Sequence, residues 1–219
     1  MYFLLHPISS LNHLIARLVT DQITLIASII FFTILALNYK KPFWQRLDER
    51  VANWATNNNK SLIKDRSEDF AICGNALFHI LFSVILFIVF LLVRHKLSMA
   101  ITILFVLIFS WGLNRFMKLV FKRVRPEHIN SSVRRRLSYC FPSGHIMASI
   151  SIYFFSAVIL QGLISFLPWY IIALVVSYLV VMTRIYLNHH YFTDVLGGIA
   201  MGIFCLNISI WFYFFIGLI

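Results

Sequence analysis

Six apolar stretches, residues 23–38, 71–93, 97–121, 143–163, 168–187 and 194–218, decide what this chain can fold into. A helix crosses the hydrocarbon core of a bilayer with about 20 apolar residues. Backbone in lipid must pair its own N–H and C=O groups, and a helix does so within one segment. The pattern predicts an all-α fold, an integral membrane bundle of six transmembrane helices. Only 12% of the residues are charged, against about 25% in soluble domains, and the mean hydropathy is +0.84. The 219 residues suit one compact bundle and leave no room for a large soluble domain, so a single domain over 1–219 is expected. The first 20 residues lack a basic region followed by a cleavage site, so the first membrane helix is expected to direct insertion itself.

Six crossings put both termini on one side of the membrane. The 39–70 connector, the 122–142 connector and the turn between helices five and six then share the other side. The 94–96 connector (Arg94, His95, Lys96) is very short, and 161–167 is short and uncharged. Within 39–70, PFWQRLDERVANWATN carries Phe43, Leu47, Val51 and Trp54 at helical spacing. That spacing predicts an amphipathic helix lying at the interface between helices 1 and 2. Cys73, Cys140 and Cys205 contain no CxxC pair; they read as small core residues, with no disulfide framework and no zinc site. Gly198 and Gly202 form a small-xxx-small pair, which predicts close helix packing and leaves a dimer open, although a monomer is expected.

Unusual polar residues collect in three places, all on the second face. In KLVFKRVRP, Lys118, Lys122 and Arg125 are spaced i, i+4, i+7 and share one side if the helix continues that far, with Arg115 on the same stripe. Pro126 is expected to end that helix at Arg125. Such a row of cations also suits snorkelling to the headgroups. In FPSGH, Pro142 and Ser143 read as a helix start, with Ser143 a plausible N-cap. Gly144 lets the backbone approach a ligand, and the free N–H groups of a first turn favour an anion, with His145 aimed at it. A capped helix with an interfacial histidine is the plain alternative. In TRIYLNHHYFTD, His190 and Asp194 are i, i+4, so on one helix face the carboxylate can bond one imidazole nitrogen and leave the other as a nucleophile. His189 reads as a neighbour without a chemical role. Arg184 and His190 converge only if the helix breaks near 187–189. Ionisable residues at membrane depth are functional candidates by default.

These residues resemble the signature of the type 2 phosphatidic acid phosphatase superfamily of membrane lipid phosphatases, which reads KxxxxxxRP, then PSGH, then SRxxxxxHxxxD. Here Lys118 is followed by Arg125 and Pro126, PSGH is intact from Pro142 to His145, and Arg184 precedes His190 and Asp194 at the same spacings. Thr183 stands where the pattern has Ser and keeps the hydroxyl. The agreement covers residues 111–202, a motif-bearing core. The resemblance implies that His190 attacks phosphorus to form a phosphohistidine and that Asp194 orients it. It also implies that His145 protonates the leaving group and then activates water. Lys118, Arg125 and Arg184 would grip the phosphate oxygens, aided by Ser143 and Gly144. No metal and no cofactor is implied, because the cations do a metal's work.

The expected partner is a phosphorylated lipid in the bilayer, not a nucleic acid: undecaprenyl pyrophosphate, phosphatidylglycerophosphate or phosphatidate. The alternative is a lipid A phosphatase or a phosphotransferase using the same site. A binding or scaffold protein on the same bundle would lack the nucleophile or the acid, and both are present here. The resemblance implies a multi-pass protein of the bacterial inner membrane with a periplasmic active site. Charge argues the other way. Every Lys and Arg except Arg17, Arg94 and Lys96 falls on the active-site face, which by the positive-inside rule would be cytoplasmic. Part of that charge, in Arg134, Arg135 and Arg136, would attract an anionic headgroup.

Overall fold

The computed structural model describes residues 11–58, 67, 69–92, 97–125, 139–164 and 166–217, with side chains in the first helix from residue 22 on. Pro126, the 94–96 connector and the basic run of Arg134, Arg135 and Arg136 lie outside the described residues. Among those described, regular structure is all helical: α1 (Leu11–Asn38), α2 (Pro42–Asn57), a 3-10 turn (Ile72–Gly74), α3 (Ala76–Leu92), α4 (Leu97–Phe121), α5 (Gly144–Leu163), α6 (Trp169–Tyr186) and α7 (Phe192–Gly217).

The six apolar runs become α1 and α3 to α7. Helices α4 to α7 are each long and apolar enough to cross a membrane. Helix α3 has 17 residues, about 26 Å of rise, at the short end of what spans. It begins a few residues after the expected start near residue 71. Residues 72–74 form the 3-10 turn, and the α-helix begins only at Ala76. Gly74 explains the offset: a Cβ there would lie 2.8 Å from Val180 and 3.2 Å from the Arg184 guanidinium, so this turn packs its backbone directly onto α6. Helix α1 begins well before the expected residue 23, since nothing between 11 and 22 is a proline or glycine that would break it.

The amphipathic helix is present. The chain bends by 95° between α1 and α2, and Pro42 opens α2 at a position that needs no N–H partner. Phe43 and Trp54 are exposed, as a helix lying in the interface requires. The side turned to the protein carries Asp48 and Ala55, both buried.

Helix α5 is the most buried span, with α4, α6 and α7 packed around it. Glycine makes the α5–α7 contact close. A Cβ at Gly198 would meet the Ser143 carbonyl oxygen at 2.8 Å, and one at Gly202 would meet Ile150 Cβ at 2.8 Å. The small-xxx-small pair thus serves packing within the chain. Cys140 and Cys205 are buried free thiols and Cys73 is half-buried.

Candidate active site

Five segments end at one mouth of the bundle: the last turn of α4, the segment 122–125 after it, the first turn of α5, the last turn of α6, and the 187–191 connector leading into α7. They bring together residues more than seventy positions apart in sequence. The imidazoles of His145 and His190 have ring centroids 6.2 Å apart, nearly edge to face. His190 Nδ1 lies 3.4 Å from Asp194 Oδ2, with the Asp194 side chain fully buried. Lys118 shares a cavity wall with His145 and Gly144.

The break between α6 and α7 falls where convergence required it. Helix α6 stops at Tyr186, and Asn188 adopts φ 50°, a left-handed conformation that asparagine tolerates. The pairing of His190 with Asp194 therefore differs from the expected one. Helix α7 starts at Phe192, so His190 belongs to the connector and only Asp194 lies in a helical turn. Backbone bonds hold this turn in register: Asp194 Oδ2 accepts the Tyr191 N–H at 3.0 Å, and the Asp194 carbonyl accepts the Ser143 N–H at 3.0 Å. His189 uses its carbonyl, which accepts from Arg125 at 3.1 Å. Thr183 bonds within its own helix, to the Val180 carbonyl.

The cation stripe is corrected. Helix α4 ends at Phe121, not Arg125. Lys122 takes φ 47° and its side chain is exposed, so it leaves the stripe. Arg115 is exposed as well. After this left-handed residue Arg123, which the helical spacing had not singled out, turns inward to Asp48 and Asp194, its side chain 11% exposed. Arg184 is 4% exposed and donates through Nη2 to the Ala71 carbonyl at 3.0 Å.

Ser143 occupies the N-cap position of α5 in extended conformation, but its hydroxyl makes no capping bond. Buried side-chain polar atoms that make no hydrogen bond within the protein include Ser143 Oγ, Arg184 Nε and both ring nitrogens of His190, whose Nδ1 only approaches Asp194. Since buried polar groups are normally paired, their coincidence at one mouth marks it out from the rest of the bundle. Asn114 was also missed. It donates to the Pro142 carbonyl at 3.0 Å, and its Oδ1 would lie 2.5 Å from a Cβ at Gly144, so a larger residue there would have to displace the Asn114 amide. A polar residue i, i−4 from Lys118 within an apolar helix was the signal.

Electrostatics favour a neutral nucleophile. Burial holds the His190 imidazole below its ordinary pKa, and the Asp194 carboxylate opposes that only in part. Two cavities reach the imidazoles. One, of about 570 Å³, is lined by His79, Ile108, Trp111, Gly112, Lys118 and His145. Its rim at Ile108 is 70% exposed on the outer surface of the bundle. The other, of about 440 Å³, lies between α2 and the 187–191 connector and includes Asp48, Glu49, Asn188 and His190.

Among the described residues the chain is a helical, multi-pass membrane bundle with two histidines, an aspartate and several cations at one mouth. Residues 98–217 match the PAP2 superfamily, and the chain belongs to it. It is 38% identical over 99 residues to phosphatidylglycerophosphatase B of Bacillus subtilis (strain 168), a match covering 42% of this chain and 46% of that one. The matched part thus spans about half the length of the curated relative. The fold is similar to the crystal structure of a transmembrane PAP2-type phosphatidylglycerolphosphate phosphatase from Bacillus subtilis. The TM-score is 0.79 and the identity 28%, over 86% of this chain and 95% of the solved one.

Proposed function

We propose that the chain is a metal-independent phosphatase of a lipid phosphate or pyrophosphate, with one catalytic domain over its whole length, working through a phosphohistidine. The observation that carries this reading is the 6.2 Å approach of His145 and His190 beside a buried carboxylate and among inward-turned cations. At that separation both imidazoles can reach one phosphoryl group.

The steps follow from the placement. His190 Nδ1 faces Asp194, so Nε2 attacks phosphorus, and the carboxylate stabilises the positive charge that develops on the ring. The bond from phosphorus to the leaving oxygen breaks, and His145 gives that oxygen a proton. His145 then takes a proton from water as the water's oxygen attacks the phosphohistidine, releasing phosphate and restoring His190. Lys118, Arg125 and Arg184 bind the equatorial oxygens, and the Ser143 hydroxyl and the Gly144 N–H at the start of α5 add hydrogen bonds. Fixed cations around a transferring phosphoryl group lower the barrier most, because they need not reorganise during reaction.

The substrate class follows from the cavity beside His145. Its apolar rim opens on the lipid-facing side of α4, and His145 is the leaving-group acid, so the leaving group extends toward lipid. Phosphatidylglycerophosphate, phosphatidate and undecaprenyl pyrophosphate meet that description, and the name of the Bacillus relative favours the first. Assay of the purified chain against these lipids and lipid A, with EDTA present throughout, tests the reading. Release of inorganic phosphate from at least one is expected at an undiminished rate in EDTA. Turnover that stops in EDTA and returns with a divalent cation overturns the metal-free scheme.

We place the site on the periplasmic face of a bacterial inner membrane. Of the 19 Lys and Arg, all but Arg17, Arg94 and Lys96 fall on this face; Lys118, Arg125 and Arg184 among them serve the phosphate and Arg123 pairs with Asp48 and Asp194, so these four are accounted for by the site rather than by the orientation of the chain. Asn57→Cys, at the exposed end of α2, should react in intact cells with a membrane-impermeant maleimide; reaction only after lysis puts the face in the cytoplasm.

A further inference from the structure

Behind the phosphate site, among the described residues, a cluster of buried charge joins α2, the segment after α4 and the start of α7. Arg123 Nη1 donates to Asp194 Oδ1 at 2.7 Å and to Thr193 Oγ1 at 2.6 Å. Its Nη2 donates to Asp48 Oδ2 at 2.8 Å. Asp48 in turn accepts the Thr193 N–H and the Thr193 hydroxyl, each at 2.8 Å. The guanidinium carbon lies 4.1 Å from the Tyr191 ring centroid and 4.7 Å from that of Tyr39. Side-chain exposures are 11% for Arg123, 4% for Asp48 and 0% for Asp194.

Both terminal nitrogens of Arg123 are thus turned to carboxylates and a hydroxyl, away from the phosphate. The oxygen of Asp194 that it holds is the one His190 does not face. A buried ion pair is weak grounds for stability, since a well-packed apolar set of similar volume often serves as well. What this set does that an apolar one could not is fix the rotation and share the charge of one carboxylate.

We propose that Arg123 and Asp48, joined through Thr193, are positioning residues for the nucleophile: they lock the Asp194 carboxylate against His190, so that the interfacial helix α2 sets the orientation and basicity of that imidazole. The proposal rests on reading His190 as the nucleophile. The charged and titratable groups that face His190 are Asp194 from α7, His145 from α5, Lys118 from α4 and Arg125 from the segment after it. Asp48 and Glu49 of α2 face it across the shared cavity. Against that background the two substitutions act with opposite sign. Asp48→Asn leaves Arg123 with Asp194 as its one carboxylate, draws charge from it and lowers the His190 pKa. Arg123→Gln releases Asp194 and raises it.

The test uses the full-length chain in detergent. Histidine NMR gives the His190 titration midpoint in wild type, Asp48→Asn and Arg123→Gln, and kinetics on the best lipid phosphate give kcat and KM. The midpoint should fall in the first variant and rise in the second, with kcat reduced about 10- to 100-fold, the usual cost of losing a partner that orients a working histidine, and KM little changed. Thr193→Val, close in shape, should lower kcat likewise, and Thr193→Ser should restore it. Unmoved midpoints, or a Thr193→Ser chain as slow as Thr193→Val, overturn the proposal. A wild-type chain that releases no phosphate from any lipid while its midpoints move in opposite directions supports the network and removes the phosphatase reading. Phosphate release with unmoved midpoints does the reverse.

Discussion

His190→Ala will lower phosphate release by at least about 10⁴-fold, the order of loss that follows removal of a covalent nucleophile. The cations that bind phosphate remain, so substrate should still saturate the variant, and the loss should lie in kcat. The fold should survive. Neither ring nitrogen of His190 has a hydrogen-bond partner in the protein, and Asp194 keeps Arg123 and the Tyr191 N–H when the imidazole is gone. Thermal unfolding should therefore move little. Labelled lipid phosphate should leave acid-labile label on the wild-type chain and none on the variant. A variant that keeps a tenth of wild-type turnover rules out His190 as the nucleophile.

The fold was legible because membrane helices report themselves through length and apolarity. The 97–121 run is α4 to the residue, and the starts of α5, α6 and α7 fall within two residues of expectation. The site residues were legible because Lys118, Arg125, His145, Arg184, His190 and Asp194 are ionisable groups at membrane depth, where nothing bland accounts for them all. What escaped was set by single dihedral angles and by distance in sequence. Helical spacing put Lys122 in the cation stripe, but φ 47° at that residue removes it, and Arg123 after it turns inward. A left-handed lysine leaves no mark in the sequence, since glycine or asparagine is the usual signal. Asp48 looked like one acid in a mixed-charge connector. Its partner Thr193 is 145 positions away, beyond the reach of any local pattern. Ser143 matched a capping residue by type, yet its hydroxyl makes no capping bond.

His145→Ala separates the two chemical steps, because the same imidazole is asked to act once as acid and once as base. Losing it should reduce steady-state turnover by about 10²- to 10⁴-fold, the usual range for general acid–base catalysis. The size of the first step should depend on the leaving group. A lipid alcohol leaves as an alkoxide and needs the proton, so with a lipid monophosphate the variant should not reach the phosphohistidine. A pyrophosphate lipid leaves as a lipid phosphate, already a stable anion, and needs little help. With that substrate His190 should still attack, while water, without a base, should not clear the intermediate. The expected record is a burst of lipid monophosphate equal to the enzyme present, with labelled phosphate held on the protein. The position of His145 permits this: it shares with Lys118 the cavity whose rim at Ile108 opens on the outer surface of the bundle, whereas the Asp194 carboxylate faces the other imidazole. Equal slowing on both substrates with no retained label would assign His145 to phosphate binding, and some other group would have to move the proton.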